Sequence, residues 1–361
     1  MIGRGSALCD VILLISLALL SAVFLTRYVD VKRRNSVDSP AAAVTSDEES
    51  PEEFRPLTLS AGSDAELSEQ KIDDLLARVP DTRPAACHGR RYRKLPVATV
   101  VVVFSDYEFY DAKLTLTSML RDDRLPQLVN EILLVDDASN RQQVLQDAQN
   151  YIQSVSRSFP TVRLVRLRTR VGRVRARSLA VDEHVTNDVV VCVDVGVVCT
   201  RGWLSPLLDL VSTASDGEST IAVPHYDQLA HPVALEYLET QSNLIATMSW
   251  SLTIRMRHRD TSTDSEDDGR LWRPAPVVRG DVFAVRRTFL SSIGGLYDSR
   301  LEDGTGAGEH VELSLRSWLC GGNIKVCIRA VDGAIYPAFI LGIYRGNSPP
   351  QSLKFPPPKI S

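Results

Sequence analysis

The chain has 361 residues, 44% of them apolar and 24% charged, which suffices for one large or two modest domains with a buried core. A formal net charge of −4, with acidic residues gathered near the N-terminus, gives no basis for a nucleic-acid partner. The six cysteines, Cys9, Cys87, Cys192, Cys199, Cys320 and Cys327, form no CxxC pair or His/Cys cluster, which excludes a structural zinc site. No Asn-x-Ser/Thr sequon is present.

The uncharged run Val11–Thr26 is flanked by Asp10 and by Arg27, Lys32, Arg33 and Arg34. It is shorter than the ~20 residues that span a typical bilayer, and Ser6–Cys9 adds about one turn. With no small-x-small cleavage site after it, it reads as a retained signal-anchor over residues 7–26 behind a cytosolic tail of residues 1–6. The flanking basic residues, counted alone, would place the C-terminal side in the cytosol. Residues 27–78 read as a flexible stem, rich in Ser, Pro, Ala and Glu, ending in a short helix that Ser63 and Glu66 open and Pro80 stops near Ala77. The globular body is expected over residues 79–361.

Within the body, Val97–Phe104 is the first buried strand and Ala112–Leu120 the helix after it. Glu131–Val135 is the second strand, ending in Asp136, Asp137, Ala138 and Ser139, a pattern that suits either a nucleotide pocket or a helix cap. Val162–Val165 is the third. Between Arg163 and Arg177 stand seven arginines, also Arg166, Arg168, Arg170, Arg173 and Arg175, of which two are expected to be ligands, as an arginine fork near the Asp194 edge that could bind a diphosphate, and the others to face solvent. The continuous β-branched run Val189–Val193 is a strand covered on both faces, and it delivers Asp194 to the sheet edge where α/β proteins keep their sites. Strands alternating with helices imply a doubly wound, mainly parallel sheet. Trp203 and Trp318 read as core, His310 as a loop residue at a pocket rim, and His225 and His231 as structure or surface. In an oxidising compartment, Cys87 and one of the pair Cys320 and Cys327 are the disulfide candidates.

Several blocks in order resemble the polypeptide N-acetylgalactosaminyltransferases, the Golgi enzymes that start mucin-type O-glycosylation. They are Pro80-Asp81-Thr82-Arg83 with Cys87, Glu131 to Ser139, Arg170-x-Gly172-x-x-x-Ala176-Arg177, Asp194, and Gly202-Trp203-Leu204-x-Pro206-Leu207-Leu208. Trp250 with Leu252, Gly294-Gly295, Tyr297-Asp298, Glu309-x-x-Glu312 and Trp318-x-Cys320-Gly321-Gly322 continue the series. The resemblance covers roughly Val79 to Cys327. It implies an α/β GT-A nucleotide-sugar transferase fold, Rossmann-like with a mainly parallel sheet, behind an N-terminal membrane anchor and stem. It further implies a single-pass type II protein of the Golgi membrane with its body in the lumen, a UDP or UDP-GalNAc ligand, and a Mn ion where metal binding is retained. By position, Asp137 would meet the uracil, Arg170 the donor and Asp194 the metal, Glu309 would lie near the acceptor polypeptide as the candidate catalytic residue, and Cys87 would pair with Cys327. Cys320 would lose its usual partner, since the chain ends without a ricin-like lectin domain.

The departures from the resemblance fall on chemistry. Gly196 stands where the Asp-x-His pair has its metal-binding His, and Asp332 where a second His is expected, which makes Asp194 with Asp332 the candidate metal ligands. Ile335 replaces an Arg, the loop from Gly304 to His310 lacks a Trp, the sugar-pocket Ala-Gly-Gly is Arg279-Gly280-Asp281, and a strand-end His-Asn-Glu is Ser105-Asp106-Tyr107. Expulsion of UDP needs its diphosphate neutralised. The expectation is therefore a transferase-like protein inactive or impaired in catalysis, which acts by binding an acceptor or an active family transferase. The alternative is an active enzyme transferring GalNAc to Ser/Thr, with Asp332 or Arg279 taking over charge neutralisation.

Overall fold

The computed structural model of the protein describes residues 69–78, 92, 94–106, 108–156, 162–212, 217–231, 236–238, 244–250, 252–258, 272–280, 282–298, 301, 308–327 and 339–342. The expected anchor, the stem before Glu69, Cys87, Asp281 and Asp332 lie outside these residues. The chain separates into two units, Met1–Asp64 and Ala65–Ser361, and every described residue belongs to the second. Among the described residues no helix is long and apolar enough to cross a membrane.

The first described element, α1 (Glu69–Arg78), was expected as the end of the stem. It instead belongs to the folded body: Ile72 is only 2% exposed and Asp73 bonds Arg121 Nε at 2.6 Å. β1 (Ala98–Phe104) is buried at every position, as its unbroken β-branched run requires of a strand covered on both faces. α2 (Glu108–Leu120) starts four residues earlier than its apolar spacing suggested. The reason is a cap: Ser105 donates both its backbone N–H (3.0 Å) and its hydroxyl (2.8 Å) to the Glu108 carboxylate.

The chain then runs through α3 (Leu125–Leu128), β2 (Val129–Asp136), α4 (Gln142–Ser156), β3 (Val162–Arg166), α5 (Arg173–Glu183), β4 (Val189–Val193) and β5 (Val197–Cys199). α6 (Leu204–Ser212), β6 (Thr220–Val223), β7 (His225–His231), β8 (Glu236–Leu238), and the hairpin β9 (Leu244–Met248) with β10 (Ile254–His258) follow. β11 (Trp272–Pro274), β12 (Val282–Arg286), α7 (Arg287–Ser292), α8 (Gly308–Leu319), β13 (Asn323–Cys327) and β14 (Phe339–Gly342) complete the described chain.

Eight strands form one sheet in the order β11-β13-β6-β12-β4-β1-β2-β3. β1 pairs in parallel with both β2 and β4, and β2 with β3, whereas β12 runs antiparallel to β4 and β6. The sheet is thus mixed and mostly parallel, an α/β fold of the GT-A kind. Strand order reverses at β1, so the crevice past the carboxyl ends of β1, β2 and β4 is where such sheets bind ligands. β5, β14, β7 and β8 make a second, smaller sheet.

Two tryptophans depart from expectation or need comment. Trp203 is fully buried, as expected, but Trp318 is 41% exposed, its indole N–H donating to Pro276 O at 3.1 Å on the outer side of α8. Trp250 stands 95% exposed at the tip of the β9–β10 hairpin.

Candidate functional site

Asp194 follows the last residue of β4 directly, and the chain turns at Gly196 (φ 82°) into β5. Its carboxylate is met by two arginines one helical turn apart on α5, the i and i+4 positions of one face. Arg177, 2% exposed, bonds Asp194 Oδ1 and donates from Nη1 to the Tyr297 hydroxyl at 3.2 Å. Arg173, 47% exposed, lies 3.8 Å from Asp194 Oδ2 and 3.8 Å from Glu309 Oε1, bridging the end of β4 to the first turn of α8.

The neighbouring groups follow from this charge arrangement. Burial alone would push the Asp194 carboxyl up, but Arg177 and Arg173 more than reverse this and hold it below its ordinary value. The Glu309 carboxyl is raised, because its burial outweighs the help of Arg173 and Arg177. His310 is buried and pushed down to about 3 by desolvation, so it is neutral, and its Nε2 at 3.5 Å from Glu309 Oε1 is not an ion pair. Its ring packs edge-on against Phe283 and Tyr297. The ring also lies over Gly280 (φ 105°), where an added Cβ would fall 2.1 Å from it. His310 is therefore a helical, buried residue rather than a loop residue at a rim: α8 begins at Gly308 and carries it inward.

Three of the remaining arginines are allotted to other carboxylates. Arg170 Nη2 donates to Asp106 Oδ2 at 2.8 Å, and Asp106 Oδ1 in turn accepts Asn140 N–H at 3.1 Å. Arg163 pairs with Glu131, and Arg166 donates to Ser139 O at 2.8 Å beside Asp136. Asp137 accepts the backbone N–H groups of Val171 (2.9 Å) and Gly172 (2.8 Å), which fixes the turn that opens α5 and so places Arg173. Of the residues expected at the site, Asp194 and Glu309 are thus brought together through Arg173. Asp137 and Arg170 lie in the adjoining loops of the same sheet edge. Arg173 was expected only as one of seven arginines, two of which would be ligands, and was not singled out, and Tyr297 was not expected as a participant; the i, i+4 arginine spacing after Gly172 was the available signal.

Residues 109–260 match the family described as Glycosyl transferase family 2. A 266-residue stretch, 72% of this chain, is 31% identical to mouse polypeptide N-acetylgalactosaminyltransferase 4, covering 43% of that protein. A 252-residue stretch, 68% of this chain, is 32% identical to Drosophila melanogaster polypeptide N-acetylgalactosaminyltransferase 3, covering 36% of it. The folded body belongs to the polypeptide N-acetylgalactosaminyltransferase family. The chain spans less than half the length of these two relatives. A crystal structure of GalNAc-T7 with UDP, GalNAc and Mn2+ has the same fold, with a TM-score of 0.61 at 23% identity over 76% of this chain and 49% of that one.

Within this polypeptide N-acetylgalactosaminyltransferase frame, two expectations need testing against the geometry. The first is the divalent cation. Among the described residues no group of three or more His, Cys, Asp or Glu side chains could hold a metal ion. Asp194 is instead enclosed by two guanidinium groups, and Gly196 supplies no side chain. The described residues do not fit a Mn or Mg ion, whose sites need several oxygen or nitrogen donors and little competing positive charge.

The second is the disulfide between Cys87 and Cys327, which the structure overturns. Cys327 ends β13 as a free, fully buried thiol, paired through its backbone register with Trp272, and burial raises its pKa. Cys320, in the turn after α8, is the disulfide-bonded cysteine; its partner lies outside the described residues.

Proposed function

We propose that this protein is a polypeptide GalNAc-transferase-like member of the mucin-type O-glycosylation system, held in the Golgi membrane by an N-terminal type II anchor with its body in the lumen. In this reading it keeps a nucleotide-sugar edge around Asp137, Arg170 and Asp194 but is impaired as a transferase. The observation that carries the impairment is the double arginine clamp on Asp194, in the position where the resemblance expects a metal ligand. Its working partners are then an acceptor polypeptide or an active transferase of the family.

A specific observation favours the second reading, an active enzyme with altered metal use. Glu309 is a buried carboxyl with a raised pKa, 3.8 Å from Arg173, which is the state a protonatable group near a reacting hydroxyl would need. The two readings separate in a transfer assay of the full-length protein with UDP-GalNAc and a Ser/Thr peptide, in Mn2+ and in EDTA. Impairment predicts no glycopeptide in either buffer. Product formation that is lost in Asp194→Ala establishes the active reading instead. Gly196→His alone is expected to leave the protein inactive, since φ 82° strains a non-glycine residue and both arginines still hold Asp194.

A further inference from the structure

Asp106 lies just past the end of β1, on the edge where the carboxyl ends of β1, β2 and β4 open their crevice. Its backbone is in the left-handed region (φ 47°), which Asp and Asn enter more readily than other residues with a side chain. Hydrogen bonds to the neighbouring loop set its place. Its N–H donates to Ser139 Oγ at 2.7 Å, and its Oδ1 accepts the Asn140 N–H at 3.1 Å. Ser139 is anchored in turn, its own N–H donating to Asp136 Oδ1 at 2.9 Å. The loop after β1 is thus tied to the loop after β2 without help from an arginine.

Arg170, just past the end of β3, is in the opposite situation. Its side chain is 48% exposed, and the bond from Nη2 to Asp106 Oδ2, at 2.8 Å, is the only hydrogen bond its guanidinium makes among the described residues. Asp106 therefore holds Arg170, whereas the fold holds Asp106. Burial pulls the Asp106 carboxyl upward, but the Asn140 N–H, Arg170 and Arg141 bring it below its ordinary value, so it is an anion at neutral pH. Where the resemblance expects the neutral amide of Asn, the chain thus places a counter-ion for Arg170. A guanidinium already paired offers an incoming phosphate little net charge, and the carboxylate beside it repels that phosphate.

We propose that Asp106 is an internal competitor for the nucleotide: its carboxylate occupies Arg170, and a nucleoside diphosphate reaches that arginine only by displacing it. This rests on the reading above that a nucleotide binds at this edge. The contact impairs the nucleotide side of the site by a route separate from the arginine clamp on Asp194. Arg170 turns from Asp106 to the ligand, while the Ser139 and Asn140 contacts keep Asp106 and its loop in place.

Calorimetric titration of the full-length protein with UDP, in one buffer throughout, tests this. Asp106→Asn keeps an oxygen for the Asn140 N–H and suits the same φ; it should bind UDP about 3- to 10-fold tighter than the parent, the scale of a partly exposed ion pair. Asp106→Gly, which also accepts φ 47°, should gain likewise. In an Arg170→Gln background Asp106→Asn should gain nothing, a dependence that a merely structural role for Asp106 would not show. A thermal melt within a few degrees of the parent shows that each variant is folded. A second readout needs no nucleotide: modification of Arg170 by phenylglyoxal, followed by peptide mass spectrometry, should be several-fold faster in Asp106→Asn, with the exposed Arg168 as the unchanged reference. Equal or weaker UDP binding by a folded Asp106→Asn protein, or an equal gain in the Arg170→Gln background, overturns the proposal. Should no variant bind UDP, the nucleotide reading falls: a faster phenylglyoxal rate in Asp106→Asn then leaves the hold of Asp106 on Arg170 standing, and an unchanged rate removes both.

Discussion

Two arginines frame helix α8 and are used in opposite ways. Arg316, near its C-terminal end, forks both nitrogens onto the Glu312 carboxylate at 2.5 and 2.9 Å and donates to the carbonyls of Ile293, Gly295 and Leu296 at 2.6–2.9 Å. Arg173 approaches the N-terminal turn of the same helix at 3.8 Å from Glu309, with nearly half its side chain in solvent. The first arginine is saturated by short bonds and ties the Gly294-Gly295 turn to the helix. The second sets its charge between the carboxylates of Asp194 and Glu309 and so links the end of β4 to the first turn of α8.

The comparison can be broken most forcefully at the saturated end. Arg316→Ala strands a carboxylate and three carbonyls, and is expected to cost about 3–5 kcal/mol of stability, read as a shift in the urea midpoint with an unchanged slope. A loss below about 1 kcal/mol would mean that the fork is ornamental. Next comes Gly280→Ala, which combines a positive φ with a Cβ driven into the His310 ring. About 2–4 kcal/mol should be lost. His310→Ala in the same chain should recover part of it by removing the clash, and equal losses in both backgrounds would refute that contact.

The third test is pH. His310 titrates near 6.5 in an unfolded chain and at about 3 in the fold, so the unfolded chain takes up its proton first and stability is lost as pH falls from 6.5 towards 3. The slope from this group is at most about 1.4 kcal/mol per pH unit. Glu309 acts in the opposite sense just above its ordinary value, since its raised carboxyl holds a proton that the unfolded chain releases. Urea melts at pH 4.5 and 7 in the parent and in His310→Phe isolate the histidine: the substitution should flatten the dependence. An identical slope in both would place the imidazole in water. The smallest effect on stability, below about 1 kcal/mol, is expected for Arg173→Leu, as for other partly exposed ion pairs.

How far these regions could be read from the chain differs for physical reasons. The β1 and β4 runs are β-branched without interruption, and a strand buried on both faces has no other composition, so their ends were placed within a residue. The family blocks carried the sheet edge and Asp194 in the same way. The start of α2 was misplaced because apolar spacing ignores the Ser105–Glu108 cap. The seven arginines carry one and the same local signal, and only the folded chain tells which carboxylates Arg163, Arg166, Arg170, Arg173 and Arg177 meet. His310 and Trp318 were exchanged in their surroundings for a similar reason, since the helical phase of α8, set by its start at Gly308, turns one inward and the other out. The pairing of Cys327 was carried over by position and failed, because its strand keeps it inside.

The central claim is that positive charge from the chain itself occupies the place of a metal. Electron paramagnetic resonance of Mn2+ added to the EDTA-washed full-length protein tests it most directly, since free Mn2+ gives a sharp six-line signal that binding broadens away. The account predicts that the parent leaves the signal as it is in the matching protein-free solution, with and without UDP. Stoichiometric loss of that signal in the parent, absent in Asp194→Ala, would contradict it and return Asp194 to the role of a metal ligand.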